Sequence, residues 1–288
     1  MIVAPTMTRP SPNPVHVVQR VPGRSEKDPV GHARRRRILQ LTLAVGTPVL
    51  IFTVWEVFAR TGLLDTRFFP APSTIWSAGV ESLRDGVMVQ AVIDTTEKMV
   101  LGYVIGVIGG VLVGLLLGMS WIARSALDTT MVALYTLPKL ALYPVFLLIF
   151  GLGSLPQIVL VAVSVFFIVA MSTTAAVVGI EQGYLDAADV FGASRLQRTR
   201  HVVIPGSMPA IGTALRLCAG IAILVVVGIE MIGGGTGLGY LIFQRSQVFD
   251  PATMYAGVII AGLLGVLFTT IVTGLTRLAL PHLRARRR

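Results

Sequence analysis

The sequence predicts an all-α membrane protein with about six transmembrane helices, and three observations lead there. Apolar residues make up 54% of the 288 positions and charged residues 13%, against about a quarter charged in an ordinary soluble domain. Six stretches approach the run of about 20 mostly apolar residues that crosses a bilayer core. They cover approximately residues 38–59, 99–122, 131–150, 155–178, 210–232 and 255–276. Lys and Arg gather at the ends of these stretches, so the net charge of +10 lacks the basic face with interleaved aromatics that nucleic-acid binding needs. The lipid bilayer is the expected partner, and nucleic acid is not.

Residues 1–37 hold six prolines and eight Lys/Arg with no apolar run long enough for a signal-peptide core. They are read as a disordered basic cytoplasmic tail, with Arg34 to Arg37 as a topology determinant. Residues 38–280 form the membrane domain and 281–288 a second short basic tail. With both ends on one side, 16 Lys/Arg fall on that side and five (Arg60, Arg67, Arg84, Lys98, Arg245) on the other. The excess places both termini in the cytoplasm. Cys218 is the single cysteine, inside an apolar run, so neither a disulfide framework nor a Cys/His metal cluster is expected, and no cofactor.

The first span leads into a segment containing "FFPAPSTIW", where Pro70 and Pro72 stop a helix and Ser73 is placed to cap a short amphipathic one running to Arg84 along the membrane surface. The second span carries Gly102, Gly106, Gly110, Gly114 and Gly118. Small residues at four-residue spacing let helix backbones approach in lipid, and packing within the bundle is the favoured reading. Gly257, Ala261 and Gly265 repeat the pattern in the last span.

In the third span Pro138 and Pro144 flank "KLALY". A charge and a broken helix at membrane depth are tolerated where they are buried in protein or line an aqueous path. Lys139, Tyr143 and, from the fifth span, Glu230 are therefore candidates for a translocation path. A plain alternative is that Lys139 snorkels or pairs with Glu230. "GGGTGLGYLIFQRSQVFDP" after the fifth span has neither a preceding strand nor a G-x-x-x-x-G-K-[ST] pattern, and reads as a flexible turn.

Between the fourth and fifth spans stands "GYLDAADVFGASRLQRTRHVVIPG". Tyr184 to Phe191 suit one short helix, with Asp186 and Asp189 near its positive end. Gly192 permits a sharp turn. Ser194 and Gln197 have the spacing of a capping box that opens a second helix, which Pro205 ends. Leu185, Val190, Phe191 and Leu196 are apolar knobs among charges. Docking to a partner and folding back on the bundle both account for them.

These residues resemble the cytoplasmic loop signature of membrane subunits of binding-protein-dependent ATP-binding-cassette importers: Glu-Ala-Ala, three residues, Gly, nine residues, Ile, any residue, Leu-Pro. Asp186, Ala187, Ala188, Gly192, Val202, Ile204 and Pro205 occupy that spacing, with Asp for Glu, Val for Ile and Ile for Leu. Over roughly residues 62–281 the chain is similar to the branch that includes sulfonate, taurine, nitrate, bicarbonate and thiamine-precursor permeases. The resemblance implies the type I (MetI-like) permease fold, a homodimer in the bacterial inner membrane, and a coupling hairpin. Asp186, Ala187, Ala188, Phe191, Gly192, Arg195 and Pro205 would dock on a separate ABC ATPase subunit, and an extracytoplasmic solute-binding protein would deliver a small solute, an organic or inorganic anion such as a sulfonate, taurine or nitrate.

The chain itself has no nucleotide-binding motif, so it is not expected to be an ATPase. Three other readings compete with this one. A secondary, ion-coupled carrier would leave the hairpin unexplained. A membrane enzyme would need clustered catalytic groups, whereas His16, His32, His201 and His282 are scattered. A channel would need polar rings along a span.

Overall fold

A computed structural model describes residues 29–279 of the chain, and among them every regular element is a helix. Their order is α1 (Pro29–Arg60), α2 (Pro72–Arg84), α3 (Val87–Met119), α4 (Trp121–Thr136), a 3-10 turn (Lys139–Leu142), α5 (Tyr143–Phe150), α6 (Leu155–Val178), α7 (Gln182–Val190), α8 (Arg195–Arg198), a π-turn (Thr199–Val203), α9 (Ile204–Gly233), α10 (Leu238–Gln247) and α11 (Pro251–Ala279). Five described helices are long and apolar enough to cross a membrane, or six if the bent pair 121–136 and 139–150 is one span.

The chain divides into two compact units between Trp55 and Glu56. In the first, the described part is the helix up to Trp55, where Phe52 and Trp55 stack at 6.2 Å. Residues 29–37, expected in the tail, belong to this helix, because Pro29 can take a first-turn position and the Ala and Arg that follow are good helix formers. The rest of that tail and the C-terminal basic segment lie outside the described residues.

In the second unit the bundle is built on contact between α3 and α6. A Cβ placed on Gly102 would come 2.7 Å from Val161 Cβ, on Gly110 2.8 Å from Val169 Cβ, and on Gly118 2.5 Å from Val177 Cβ. The pairs advance together along both helices, so α3 and α6 run parallel. The glycine stripe thus packs inside the bundle: with no side chain, α3 lets the β-branched row of α6 approach its backbone, which is how helices gain dispersion energy in lipid. Gly257 against Ile242 and Gly265 against Ile223 do the same for α11.

α9 runs antiparallel to α3, with Tyr103 donating to the Leu215 carbonyl at 2.9 Å and its ring meeting Phe268 edge-on at 5.1 Å. The buried core gathers Met99, Leu160, Val165, Cys218, Ala222 and Val226 around this contact. Substituting Gly114→Ala would put a Cβ 2.5 Å from Thr173 Cβ and 2.6 Å from the Ala170 carbonyl. We expect a loss of about 1–3 kcal/mol, read as a lowered thermal midpoint of the detergent-purified chain.

Several expected elements differ: the fifth span starts at Ile204 and the last runs from Pro251 to Ala279. The second span begins at Val87 and ends at Met119; Trp121 and Ile122 open α4, whose N-cap Ser120 accepts from the Ala123 amide at 3.2 Å. The third crossing bends by 88° at its break. There Pro138 precedes the 3-10 turn, while Pro144 sits in the first turn of α5, where its missing donor costs nothing. The segment after the fifth span, expected as a flexible turn, contains α10.

α2 forms as expected, with a different cap. Its N-cap residue is Ala71, and the end is closed by Glu56 of the preceding helix, which accepts from the Ser73 amide at 3.0 Å and from its hydroxyl at 2.7 Å. A carboxylate at a helix N-terminus offsets the dipole better than a hydroxyl does. Arg60 holds that carboxylate at 2.6 Å.

Candidate functional site

The elbow between α6 and α9 is a small, internally braced body. Gln182 donates to Asp186 at 2.9 Å within α7, and Arg198 reaches back to Asp189 at 3.3 Å. α7 begins at Gln182, so Asp189 lies in its last turn rather than near its positive end; its partner is Arg198 across the turn, where opposite charge replaces the expected dipole contact. The capping box is present in full: Ser194 Oγ accepts from the Gln197 amide at 3.3 Å, and the Ser194 amide donates to Gln197 Oε1 at 2.8 Å.

Gly192 turns the chain at φ +69°, and a Cβ there would meet nothing within 4 Å. Its requirement is therefore conformational. Gly192→Ala should weaken the elbow by about 1–2 kcal/mol, and Gly192→Asn by less, because Asn tolerates the left-handed region. Faster hydrogen exchange at the amides of α7 and α8 in the alanine variant would measure it.

Pro205 does not end the second helix. α8, the π-turn and α9 follow one another without a break, and a continuous apolar helix runs over Arg195–Gly233. A proline ring collides with the carbonyl four residues back, here His201. The widened π-turn at Thr199–Val203 relieves that collision and absorbs the missing donor.

The apolar knobs point away from the bundle. Phe191 is 89%, Val190 85% and Leu196 76% exposed. Asp186, Ala187, Arg195 and Pro205 are also exposed, Ala188 and Leu185 half-buried. Folding back on the bundle would have covered these three side chains, so the structure does not take that alternative and leaves an apolar patch on the elbow. Thr199 Oγ1, in the π-turn, donates to Met119 Sδ at the end of α3 at 3.5 Å.

A second polar assembly lies at the opposite end of the bundle. Glu230 has no exposed surface. It accepts from Lys98 Nζ at 3.0 Å, from Thr95 Oγ1 at 2.9 Å and from the Gly239 amide at 2.9 Å. Lys98 also donates to the Thr236 carbonyl at 2.6 Å, and Thr95 accepts from the Leu238 amide at 2.8 Å. The knot ties α3, α9 and the start of α10 together. Gly237 and Gly239 are required by close approach, since Cβ atoms there would collide with the Glu230 carboxylate and the Val227 carbonyl.

Lys139 is not the partner of Glu230. It lies 4.4 Å over the Tyr135 ring and donates to the Tyr135 carbonyl at 2.5 Å, across the break in its own crossing. Tyr143 is buried, with its ring against Gly233. Arg216 donates to Thr213 Oγ1 at 3.0 Å at the bundle surface.

Sequence reasoning missed Lys98, Thr95 and Gln157. Lys98 had been counted among charges outside the spans, because it stands in the polar run "DTTEK". Depth was the usable signal: Glu230 lies near the end of the fifth span away from the elbow, level with the start of the second span, whereas Lys139 sits at a break in the third.

Long apolar helices, a glycine-mediated parallel pair and an exposed, braced elbow define a helical membrane protein. Over residues 106–285 the chain matches the family "Binding-protein-dependent transport system inner membrane component", and it belongs to that family: it is a membrane permease of ATP-binding-cassette importers, and not itself an ATPase. It is 29% identical over 247 residues to the taurine transport system permease protein TauC of Escherichia coli (strain K12), covering 84% of this chain and 90% of that one. It is 32% identical over 218 residues to SsuC of the same organism, named for aliphatic sulfonates transport, with 76% and 83% covered. Its fold is similar to that in a crystal structure of the MetNI methionine ABC transporter in inward-facing conformations, at a TM-score of 0.58 and 22% identity, over 66% of this chain and 95% of that one. The ion-coupled carrier finds no support in these relatives.

Proposed function

We propose that the chain imports a small oxyanion-bearing solute of the sulfonate, taurine or nitrate kind, driven by ATP hydrolysis on a separate ABC ATPase subunit that grips the elbow. The exposure of Phe191, Val190 and Leu196 on a braced turn carries this reading. Asp186, Ala187, Ala188, Gly192, Arg195 and Pro205 frame those knobs. Two such elbows, one from each copy of a homodimer, would move together when the ATPase subunits close on ATP. Because α8, the π-turn and α9 are consecutive, a push on the elbow is delivered along the axis of a spanning helix, a rigid-body transmission suited to alternating access.

Basic residues concentrate on the elbow side, which supports both termini and the elbow lying in the cytoplasm. The opposite end, with α2 and the Glu230 knot, would receive the solute from an extracytoplasmic binding protein. The path would use Lys139, Tyr143 and Glu230, the last through the lysine it holds in place.

The test is uptake into proteoliposomes containing the permease, its ATPase and its binding protein. Taurine uptake that requires internal ATP and ignores ion gradients is the expected result. Uptake that follows a sodium or proton gradient without the ATPase would refute it.

A further inference from the structure

Beside the Glu230 knot, within a single copy of the chain, is a cavity of about 330 Å³. Its walls include Lys98, Tyr143, Gln157, Leu147, Leu152 and the loop Gly233 to Thr236. Three of its polar side chains are almost fully enclosed, with 4%, 2% and 3% of their surfaces exposed for Lys98, Tyr143 and Gln157, while Ser154 and Thr236 at the rim are exposed. Side chains of this kind at such burial are costly unless they have partners, and here their bonding is incomplete.

Lys98 has three N–H donors; two go to Glu230 and Thr236. Tyr143 receives a long contact of 3.4 Å from Gln157 Nε2, which leaves the phenol hydrogen to donate. Gln157 Oε1 is buried without a hydrogen-bond partner, while its Nε2 makes only long contacts, to Tyr143 and, at 3.5 Å, to the Gly234 carbonyl. The terminal torsion of a glutamine is soft, so this acceptor can turn to a donor in the cavity. The buried part of the wall therefore offers two donors and one acceptor, with Leu147 and, at the rim, Leu152 as apolar sides.

Charge narrows the match. The Lys98 ammonium is already balanced by Glu230 at 3.0 Å, so the cavity is close to neutral and gives a net anion little reward for leaving water. A solute with its own opposite charges suits it better: oxyanion oxygens accept from Lys98 and Tyr143, an ammonium donates to Gln157 Oε1, and a short methylene stem lies against the leucines.

Building on the importer reading above, we propose that this cavity is a solute-binding subsite selective for small zwitterions with an oxyanion head and an ammonium tail, over simple anions of the same size. Glu230 is a positioning residue that holds Lys98 at the cavity wall.

Calorimetry on the detergent-purified full chain tests this with taurine, β-alanine, ethanesulfonate and ethylammonium as probes. Taurine is expected to bind roughly tenfold or more tightly than ethanesulfonate or ethylammonium, because each half-molecule leaves a buried group unpaired. The β-alanine arm separates a sulfonate from a carboxylate head. Gln157→Ala should bring taurine down to the ethanesulfonate level, Gln157→Glu should keep the preference for taurine, and Tyr143→Phe should weaken both sulfonates alike. Equal binding of taurine and ethanesulfonate to the unaltered chain overturns the proposal. So does an unchanged ratio in Gln157→Ala, or no taurine heat at millimolar concentrations. Failure of the ATPase to co-purify with the unaltered chain would count against the importer reading alone, leaving the calorimetry to stand or fall separately.

Discussion

Replacing Phe191 by alanine is expected to lower the affinity of the ATPase subunit by about 30-fold or more, since a buried aromatic anchor at an interface is worth about 2 kcal/mol or more. The side chain is 89% exposed in the isolated chain, so its removal costs the fold almost nothing. That asymmetry makes the experiment informative. The thermal midpoint of the purified permease should stay at the unaltered value while ATPase co-purification and ATP-driven uptake collapse together. Arg198→Ala, which removes the brace to Asp189, should give a smaller loss of the same kind, because an exposed ion pair contributes about 0–1 kcal/mol. Wild-type uptake and co-purification in Phe191→Ala would end the docking interpretation.

Lys98→Met is expected to have the opposite signature: a large loss of stability before any question of docking arises. Glu230 would remain with no exposed surface and without its cation. Breaking a buried pair from one side costs about 3–5 kcal/mol, while replacing both partners by apolar residues is often neutral. Thr95 and the Gly239 amide would still satisfy part of the carboxylate, which keeps the expected loss toward the lower figure. The double variant Lys98→Met with Glu230→Leu should therefore recover much of the single-variant deficit, leaving the cost of the uncapped start of α10. Thermal unfolding of the four proteins in detergent gives the coupling directly. If the two single losses simply add in the double variant, the pair is not coupled and the knot is not what holds α3 to α9.

The parts of this protein that repeat a local rule could be read from the chain. The spans announce themselves by length and apolar content, because the bilayer imposes the same requirement on each. The elbow does so through Gly192, Ser194 and Gln197, whose roles in a turn and a capping box depend on neighbours within a few residues. The glycine row on α3 likewise declared a close-packed face, and the structure supplied the partner, α6, that the row alone could not name. The boundaries moved where a residue's fate depends on something distant. Ser73 looked like a cap until Glu56 arrived from another helix, and Pro205 looked like a stop until a π-turn made room for it.

Local chemistry in the sequence thus determined that the chain crosses a membrane several times and presents one braced turn outside it, since hydropathy, turn geometry and capping act over a few residues each. Span depth in the sequence makes Lys98 level with Glu230, but that the two meet, and that Tyr143 and Gln157 share a cavity beside them, was decided by tertiary structure. A buried charge takes whichever opposite charge packing brings against it, and residues 98 and 230 touch only because α3 and α9 lie side by side.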